Sequence, residues 1–328
     1  GRITNMALKD KVSTISQRQP RISNRSSPWP PRNNTKHVGL KNQGATCYLN
    51  SLLQTIFMTP EFRSAIFSVS GQDLEYEGPI NLLGDSSNLS DEQKQELFMP
   101  CELQRLLAYM QELDVSALPT EALTRSFNWD EGQEQVQHDL HELTRILFDN
   151  IEEHAPPGPL STVISQLYKG STVNQVKCSV CQRVSSREEA FCDLTIPVDG
   201  LHSVERSLQE FTADEHLTGS NQYFCEGCSA LVDARKGMRL RKLPPVLILS
   251  LSRFRYNWDD GEGRREKITD KFAFGTSLDV SPFMEEGAAA DEDCQYTLFS
   301  VVSHSGSAQG GHYHALIRDL YAPLRQVS

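Results

Sequence analysis

Long hydrophobic runs are missing from this sequence of 328 residues. No apolar run approaches the roughly 18 residues of a membrane span, and the N-terminus lacks the apolar core of a signal peptide. No internal repeats are evident. We therefore expect no membrane partner and a location in the cytoplasm or nucleus. With 38% hydrophobic residues, the chain can still bury a sizeable core, as one large or two ordinary domains.

Acidic residues outnumber basic ones outside the first 36 residues. Residues 1–36 hold eight Lys or Arg and one acidic residue, Asp10, which gives a net charge of +7. Because the whole chain carries −11, the remaining residues carry −18. The first segment lacks apolar periodicity and predicts a disordered basic tail, although such a tail could also touch nucleic acid or a membrane surface. Phosphate binding needs a basic face, so the acidic body argues against a nucleic-acid partner and suits a basic protein partner.

One cysteine stands where a glycine-containing loop gives way to a predicted helix. The stretch from Gly44 to Gln54 reads GATCYLNSLLQ. After Cys47, apolar residues recur at helical spacing, at Leu49, Leu52, Leu53 and Ile56. The N-terminus of a helix favours negative charge, and therefore the thiolate, which is the nucleophilic form of cysteine. A small buried cysteine at a helix start is the alternative interpretation.

A histidine 265 positions later could act as the base for this cysteine. Gly310 and Gly311 precede His312 and would let the backbone turn tightly or approach a substrate strand closely. The alternation of side chains that follows predicts that His312 opens a β-strand. A cysteine nucleophile needs a base within hydrogen-bond reach, and a histidine remote in sequence can supply it after folding. The two segments together indicate a Cys47–His312 pair more strongly than either does alone.

Two Cys-x-x-Cys pairs are typical of a structural zinc site. They comprise Cys178, Cys181, Cys225 and Cys228. The 43 residues between the pairs exceed the usual spacing, but they include a predicted strand at Leu194–Val198 and a predicted helix at Val204–Phe211. A redox motif would need only one pair, and a disulfide scaffold would need an oxidising compartment. The other cysteines besides Cys47 have no partner motif and are predicted to be packing residues: Cys101, Cys192 and Cys294.

The order of these motifs resembles that of a known family. The segments VGLKNQGATCYLNS at 38–51 and GGHY at 310–313 resemble the cysteine and histidine boxes of the ubiquitin-specific proteases. The segment QHDLHEL at 137–143 resembles the family's short acidic box, and LPPVLILSLSRF at 243–254 resembles its central strand ending in Arg-Phe. The resemblance covers nearly the whole chain, from about Val38 to Arg318.

This resemblance implies an α+β fold, that of a papain-like cysteine protease of the ubiquitin-specific protease type. It implies a catalytic domain at 37–328, with a mainly helical thumb at 37–166, β fingers carrying the zinc knuckle pair at 167–240 and a β palm at 241–328. It also implies a thiol-dependent deubiquitinase that hydrolyses the isopeptide bond after the C-terminal Gly of ubiquitin. Ubiquitin and ubiquitinated proteins would be its partners, with structural zinc and no catalytic cofactor.

The resemblance further implies roles for individual residues. Cys47 would be the nucleophile, His312 the base and Asn42 the oxyanion-hole residue, although a turn-forming role for Asn42 stays open. Substrate contacts would come from the acidic and histidine boxes: Gln137, Asp139, Glu142, Gly310, Gly311 and Tyr313. A solvated acidic helix face is the alternative for Asp139 and Glu142.

The C-terminal end departs from the family pattern. In the family, a strand with an Asp or Asn that orients the base usually follows the histidine strand. This chain ends at Ser328, sixteen residues after His312, without that motif. Asp319 would lie about 20 Å from His312 along a straight strand, too far to orient the imidazole. We therefore expect a truncated palm and a third catalytic residue that is missing, substituted or dispensable. Ubiquitin binding with weak or no catalysis is the alternative function.

Apolar periodicity also predicts the remaining elements. Helices are predicted from Cys47 and at Pro60–Phe67, Cys101–Leu113, Thr120–Phe127 and Gln137–Glu153. The polar, acidic segment Ser68–Pro100 is predicted to be a surface insertion. From Ser161 onward the pattern predicts strands, interrupted by a charged, Gly-rich loop at Asn257–Glu266 and another loop at Ala288–Asp293.

Overall fold

The protein is described here from a computed structural model. It describes residue 31 and residues 37–69, 99–127, 140–257, 263–288 and 293–318. Apart from residue 31, the predicted basic tail lies outside the described residues, as does most of the predicted insertion. No helix within the described ranges has both the length and the apolar character that crossing a membrane requires.

The chain divides into two compact units. The first contains the described residues up to Ile164, Ser300–Ser305 and those from His312 onward. The second contains Ser165–Phe299 and Gly306–Gly311. All three candidate catalytic residues, Asn42, Cys47 and His312, therefore belong to the first unit.

Helices form most of the first unit. In chain order the described helices of the whole chain are α1 (Cys47–Phe57), α2 (Pro60–Ser68), α3 (Met99–Glu112), α4 (Glu121–Ser126), α5 (Leu140–His154), α6 (Pro159–Leu167) and α7 (Val204–Phe211). Of these, α7 belongs to the second unit. The helices predicted from periodicity before residue 154 are all confirmed, with ends that differ by a few residues. The predicted start of the last one, at 137–139, lies outside the described residues.

An apolar face on each helix holds the first unit together. The predicted stripe of α1 is confirmed, because Leu49, Leu52, Leu53 and Ile56 are all buried. α1 packs against α2 and α5, and α3 packs against α2, α4 and α5. Burying one leucine side chain contributes about 1.5–3 kcal/mol. This burial, more than intrinsic helix propensity, fixes the orientation of α1 and hence of the residue at its start.

The described strands range from two to nine residues in length. In chain order they are β1 (Gly39–Leu40), β2 (Ala117–Leu118), β3 (Gly170–Cys178), β4 (Val184–Phe191), β5 (Leu194–Pro197), β6 (Glu215–Leu217), β7 (Tyr223–Cys225), β8 (Ala230–Val232), β9 (Ala234–Lys242), β10 (Leu249–Ser252), β11 (Phe254–Asn257), β12 (Arg264–Lys267), β13 (Ser277–Asp279), β14 (Gln295–Thr297), β15 (Ser300–Gly306) and β16 (Gly311–Ile317). In the first unit β1 pairs with β2 in parallel, and β15 pairs with β16.

A four-stranded antiparallel sheet organises the second unit, with strand order β4-β3-β9-β6. β5 pairs in parallel with β10, and α7 packs on β5. The apolar core of this unit includes Leu194, Ile196, Leu208, Leu240 and Val280. The predicted strand near Leu194 and the predicted helix Val204–Phe211 are therefore confirmed.

Two predictions about elements are wrong. Strands were predicted from Ser161, but Pro159–Leu167 is a helix and the first long strand begins at Gly170. The reason is a helical spacing of apolar residues at Leu160, Val163, Ile164 and Leu167, all of which are buried. Pro159 opens this helix, a position where its missing N–H costs nothing.

The predicted loop Asn257–Glu266 is the second error, because Arg264–Lys267 is a strand that pairs with Phe254–Asn257. Charged residues supply the cross-strand contacts that apolar residues usually make. Arg255 donates to the Glu266 carboxylate at 3.1 Å, and the Arg265 guanidinium lies 4.7 Å from the centre of the Phe254 ring.

Candidate active site and cysteine cluster

The loop before α1 is folded around the side chain of Asn42. Its Oδ1 accepts hydrogen bonds from the Thr46 backbone N–H at 3.0 Å and from the Thr46 hydroxyl at 3.2 Å. Its Nδ2 donates to the Gly44 carbonyl at 3.1 Å, where Gly44 has a φ of +108° that other residues rarely adopt. Asn42 is thus a turn-forming residue. Because Nδ2 carries two N–H groups and the turn uses one, the second can serve another acceptor.

Cys47 is the first residue of α1 and is only 4% exposed. No acidic residue occupies the first turn of α1, so no negative charge there offsets the positive end of the helix dipole. The Cys47 Sγ also accepts a hydrogen bond from the backbone N–H of Tyr313 at 3.3 Å. The sulfur therefore lies at a helix N-terminus and beside a strand.

That strand is β16, on which His312 directly precedes Tyr313. The Tyr313 ring lies edge-on to the ring of Tyr48, with centroids 6.5 Å apart, and tilted against His304 at 4.6 Å. Tyr48 is fully buried in α1. This aromatic group packs β16 against α1 and so fixes the backbone N–H that contacts the sulfur.

A cavity of about 380 Å³ lies within the first unit. Its lining includes three residues predicted to be catalytic, Asn42, Cys47 and His312, together with Tyr313. The structure therefore brings a candidate nucleophile, a candidate base and a candidate oxyanion donor to one cavity, although they lie far apart in sequence.

Four cysteines converge in the second unit, with all their Sγ atoms within 4.8 Å of one another. The Sγ atoms of Cys178 and Cys228 are 3.9 Å apart, and those of Cys181 and Cys225 are 3.6 Å apart. A disulfide bond would need about 2.05 Å. Four sulfurs about 2.3 Å from a tetrahedral zinc ion lie roughly 3.8 Å from one another. The spacing therefore fits a tetrahedral metal ion.

The backbone around Cys178 is also arranged for a thiolate. The N–H groups of Cys181 and Val180 both donate to the Cys178 Sγ at 3.4 Å. These hydrogen bonds, that of Cys181 foremost, lower the pKa of Cys178 to about 6. A set of four thiol ligands leaves no open coordination position, so the cluster suits a metal with a structural role.

Comparison of the sequence with models of protein families identifies the family of this chain. Residues 38–322 match the family model described as ubiquitin carboxyl-terminal hydrolase. The chain belongs to this family. The resemblance stated from the sequence is thereby confirmed, and with it the mixed helix-and-sheet architecture.

Individual members of the family are similar over most of the chain. Ubiquitin carboxyl-terminal hydrolase 40 of Mus musculus is 40% identical over 297 residues, 89% of this chain and 23% of the relative. The Homo sapiens protein of that name is 39% identical over 319 residues, 95% of this chain and 25% of the relative. Ubiquitin carboxyl-terminal hydrolase 47 of Xenopus tropicalis is 34% identical over 346 residues, 88% of this chain and 24% of the relative. The chain therefore spans about a quarter of the length of the curated relatives it matches.

The predicted substrate contacts are distributed differently from the catalytic candidates. Glu142 is exposed on α5 and is not among the residues that line the cavity. Gln137 and Asp139 lie outside the described residues, as does Asp319. Tyr313 is the one predicted contact that the structure places in the cavity lining.

The two predicted glycines lie at the β15–β16 turn, where a third glycine is constrained as well. Gly306 has a φ of +131°, and a Cβ there would lie 2.5 Å from the Gly311 Cα. Gly310, in contrast, has no atom within 4 Å of the position of a Cβ. Close packing thus accounts for Gly306, whereas the fold itself leaves space at Gly310.

Sequence reasoning missed four polar residues in the cavity lining: His37, Asn50, Ser51 and Gln54. Asn50 and Gln54 follow Cys47 by three and seven positions, which places all three on one face of α1, and this spacing could have revealed them. Asn50 donates to the Lys41 carbonyl at 3.0 Å, and Gln54 donates to the Val38 carbonyl at 2.8 Å. No sequence pattern marks His37.

Proposed function

We propose that this chain is a cysteine-type deubiquitinase that hydrolyses the isopeptide bond after the C-terminal Gly of ubiquitin. Membership of the ubiquitin carboxyl-terminal hydrolase family supports the activity. The observation that carries the proposal is the shared cavity of Cys47 and His312, with the Cys47 Sγ hydrogen-bonded to the residue after His312. Ubiquitin and ubiquitinated proteins are the proposed partners, and neither nucleic acid nor a membrane is required.

The proposed mechanism divides the chemistry among three residues. The Cys47 thiolate attacks the carbonyl carbon, and the Asn42 N–H that the turn does not use donates to the resulting oxyanion. The tetrahedral intermediate then expels the lysine amine, which takes a proton from His312 and leaves a thioester on Cys47. His312 next removes a proton from water and the hydroxide attacks the thioester. Collapse of this intermediate releases the thiolate and the carboxyl group of ubiquitin, which loses its proton to solvent.

We also propose the finer architecture and the metal. Family membership supports a helical thumb, zinc-bearing fingers and a palm. Zinc is the proposed metal of the cysteine cluster because four thiolates in a closed tetrahedral arrangement suit it. The proposed location is the cytoplasm or nucleus, where thiols stay reduced.

Contacts to the C-terminal tail of ubiquitin are the last part of the proposal. Glu142 and Asp139, with Gln137 supporting them, would receive the basic side chains of the tail. Backbone groups at Gly310, Gly311 and Tyr313 would lie along its extended chain. The exposure of Glu142 is compatible with such a contact.

Ubiquitin binding without turnover is the second candidate function. One observation favours it: all the hydrogen bonds found for the Asn42 side chain hold the loop, which is the behaviour of a purely turn-forming residue.

Reaction with a ubiquitin derivative that carries an electrophile at its C-terminus separates the two candidates. We expect the wild-type chain to form a covalent adduct, Cys47→Ala to form none, and Cys192→Ala, which alters a cysteine outside the site, to react like wild type. A wild-type chain that binds ubiquitin but never forms the adduct would establish the binding protein instead.

A further inference from the structure

Gln43 joins the loop before Cys47 to the start of α4. Its Nε2 donates to the hydroxyl of Thr120 at 2.6 Å, and its Oε1 lies 3.1 Å from the hydroxyl of Thr124, whose single proton is shared between Gln43 and the Glu121 carbonyl at 3.0 Å. Both threonines are buried, with 1% and 5% of their surfaces exposed. The two ends of one amide are thus satisfied by two buried hydroxyls that lie one helical turn apart. A side chain held at both ends in this way has little freedom to move.

Two helices forgo their own caps in favour of this loop. Thr120 is the N-cap residue of α4, yet its hydroxyl makes no capping bond and accepts from Gln43 instead. Thr46 is the N-cap residue of α1, and its hydroxyl accepts from the Gln43 backbone N–H at 3.0 Å while donating to Asn42. An N-cap hydroxyl ordinarily accepts from an N–H of its own helix, which stabilises that helix. The two threonine hydroxyls therefore hold the loop in place rather than stabilise the helices that they precede.

The rigid segment includes the candidate oxyanion donor. Asn42 directly precedes Gln43, and the two bonds from Thr46 to Oδ1 decide which end of the Asn42 amide carries the N–H groups. With Oδ1 fixed, the direction of the Nδ2 donors is fixed as well. Movement of Gln43 would shift both the Asn42 backbone and the hydroxyl of Thr46.

We propose that Gln43 is a positioning residue that acts through Asn42. Anchored on Thr120 and Thr124, it holds the Asn42 amide so that its second N–H is already aimed at the developing oxyanion. Donors that are preorganised in this way need no rearrangement at the moment of reaction. Gln43 itself does not touch the reacting atoms. This inference rests on the proposed hydrolysis, because an oxyanion forms only if the chain catalyses acyl transfer.

The first test compares Gln43→Leu with a matched glutamine elsewhere in the first unit. Gln104 on α3 is also held by two hydrogen bonds, to the carbonyls of Ile66 at 2.7 Å and Val69 at 2.8 Å. We expect Gln43→Leu to lower kcat for a ubiquitin-amide reporter about tenfold, a fraction of the effect of losing an oxyanion donor outright, with KM unchanged. Gln104→Leu should lower the melting temperature comparably and keep the wild-type kcat.

A second pair of variants keeps the test independent of folding defects in Gln43→Leu. Thr124→Ser retains the hydroxyl that Gln43 uses and should keep the wild-type kcat. Thr124→Val removes that hydroxyl at almost constant volume and should lower kcat without raising KM. Equal kcat in both threonine variants would overturn the proposal.

A double-mutant cycle tests whether Gln43 acts through Asn42. In an Asn42→Ala background, Gln43→Leu should cause no further loss of kcat, because the donor that it positions is already absent. Independent, multiplying losses would contradict the inference, as would equal losses of kcat in Gln43→Leu and Gln104→Leu. If the wild-type chain does not hydrolyse the reporter, both the proposed function and the inference fall. If it does and Gln43→Leu keeps its kcat, the inference alone falls.

Discussion

His312 reaches the cavity from β16, whereas Cys47 reaches it from α1. The two side chains therefore come from separate elements, joined by the hydrogen bond from the Tyr313 N–H to the Cys47 Sγ. We expect His312→Ala to lower kcat for a ubiquitin-amide reporter by roughly a thousandfold or more, close to the effect of Cys47→Ala. Adding the second substitution should cost little more, because in the proposed mechanism the two residues act as one catalytic unit.

Steady-state kinetics, with ubiquitin binding measured in parallel, checks this prediction. Binding should persist in both variants, since neither truncation adds bulk or charge. Activity above a tenth of wild type in His312→Ala would remove the histidine from the mechanism. The exposed His314 on the same strand supplies the control, and His314→Ala should behave like wild type.

For Glu142 we expect a change in KM rather than in kcat. An interaction formed equally in the ground and transition states changes substrate binding only. If Glu142 receives the basic tail of ubiquitin, Glu142→Gln should raise KM about tenfold and leave kcat unchanged. The ratio of variant to wild-type KM should shrink as salt rises, since salt already screens the wild-type contact. Glu153→Gln alters another exposed carboxylate on α5 and serves as the control.

KM values measured at two ionic strengths decide whether Glu142 contacts the basic tail of ubiquitin. Identical wild-type KM for Glu142→Gln and Glu153→Gln would return Glu142 to the solvated helix face that the sequence also allowed.

At the scale of elements, the cysteine cluster joins segments that are far apart in the chain. β3 ends at Cys178 and β7 ends at Cys225, so the metal would bridge the end of the main sheet and a separate two-stranded sheet. We expect one tightly bound zinc per chain. Cys225→Ser should abolish stoichiometric zinc and lower the melting temperature by roughly 5 °C or more, since binding energy at a structural site is folding energy.

Metal analysis and thermal unfolding of the same preparations provide the check. Cys192→Ser, which replaces a partly buried cysteine outside the cluster, should keep its zinc. Purified wild-type protein with no zinc and four freely titrating thiols would refute the metal assignment.

An ion pair within the second unit predicts that the stability of the fold depends on pH. The Glu285 carboxylate accepts from Arg241 at 2.6 and 2.9 Å and from Gln175 at 2.6 Å. The hydrogen bonds from Arg241 lower the pKa of Glu285 below its ordinary value of 4.5. Because the folded-state pKa is depressed, the stabilisation is present above pH 4.5 and is lost as pH falls through the folded-state pKa.

Glu285→Gln should therefore melt roughly 2 °C below wild type at neutral pH. The gap should close progressively below the ordinary glutamate pKa, where the wild-type carboxylate also becomes protonated. The neighbouring Glu286 is exposed, and Glu286→Gln should melt like wild type at every pH. A gap for Glu285→Gln that does not change with pH would show that the carboxylate charge is not the source.

Over the whole molecule, the sequence predicted most where periodicity and spacing carry the signal. The α1 stripe, the two Cys-x-x-Cys pairs and the strand at His312 were all predicted from such patterns. Sequence patterns gave wrong predictions for two segments. At Pro159–Leu167 a short helical spacing of apolar residues was overlooked. At Arg264–Lys267 an ion pair and a cation–π contact take the place of apolar cross-strand pairs. The convergence of Cys47 and His312 was predicted from chemistry and family resemblance.

No sequence pattern predicts the hydrogen bonds that hold the loop before Cys47. The bonds from Gln43 to Thr120 and Thr124 join residues separated by 77 and 81 positions, and only the packing of α4 brings them together. Asn42 shows the same limit. Its turn-forming role uses one N–H of the amide and its proposed role as an oxyanion donor would use the other, which only the geometry of the loop distinguishes.

The glycines before His312 define where directed evolution of this turn can operate. At Gly306 a side chain would overlap the backbone across the turn, so substitutions there should be eliminated in any functional selection. At Gly310 the space that a β-carbon would enter is open, and φ does not lie in the left-handed region. A library that seeks new substrate preferences next to His312 should therefore randomise position 310 and keep position 306 invariant.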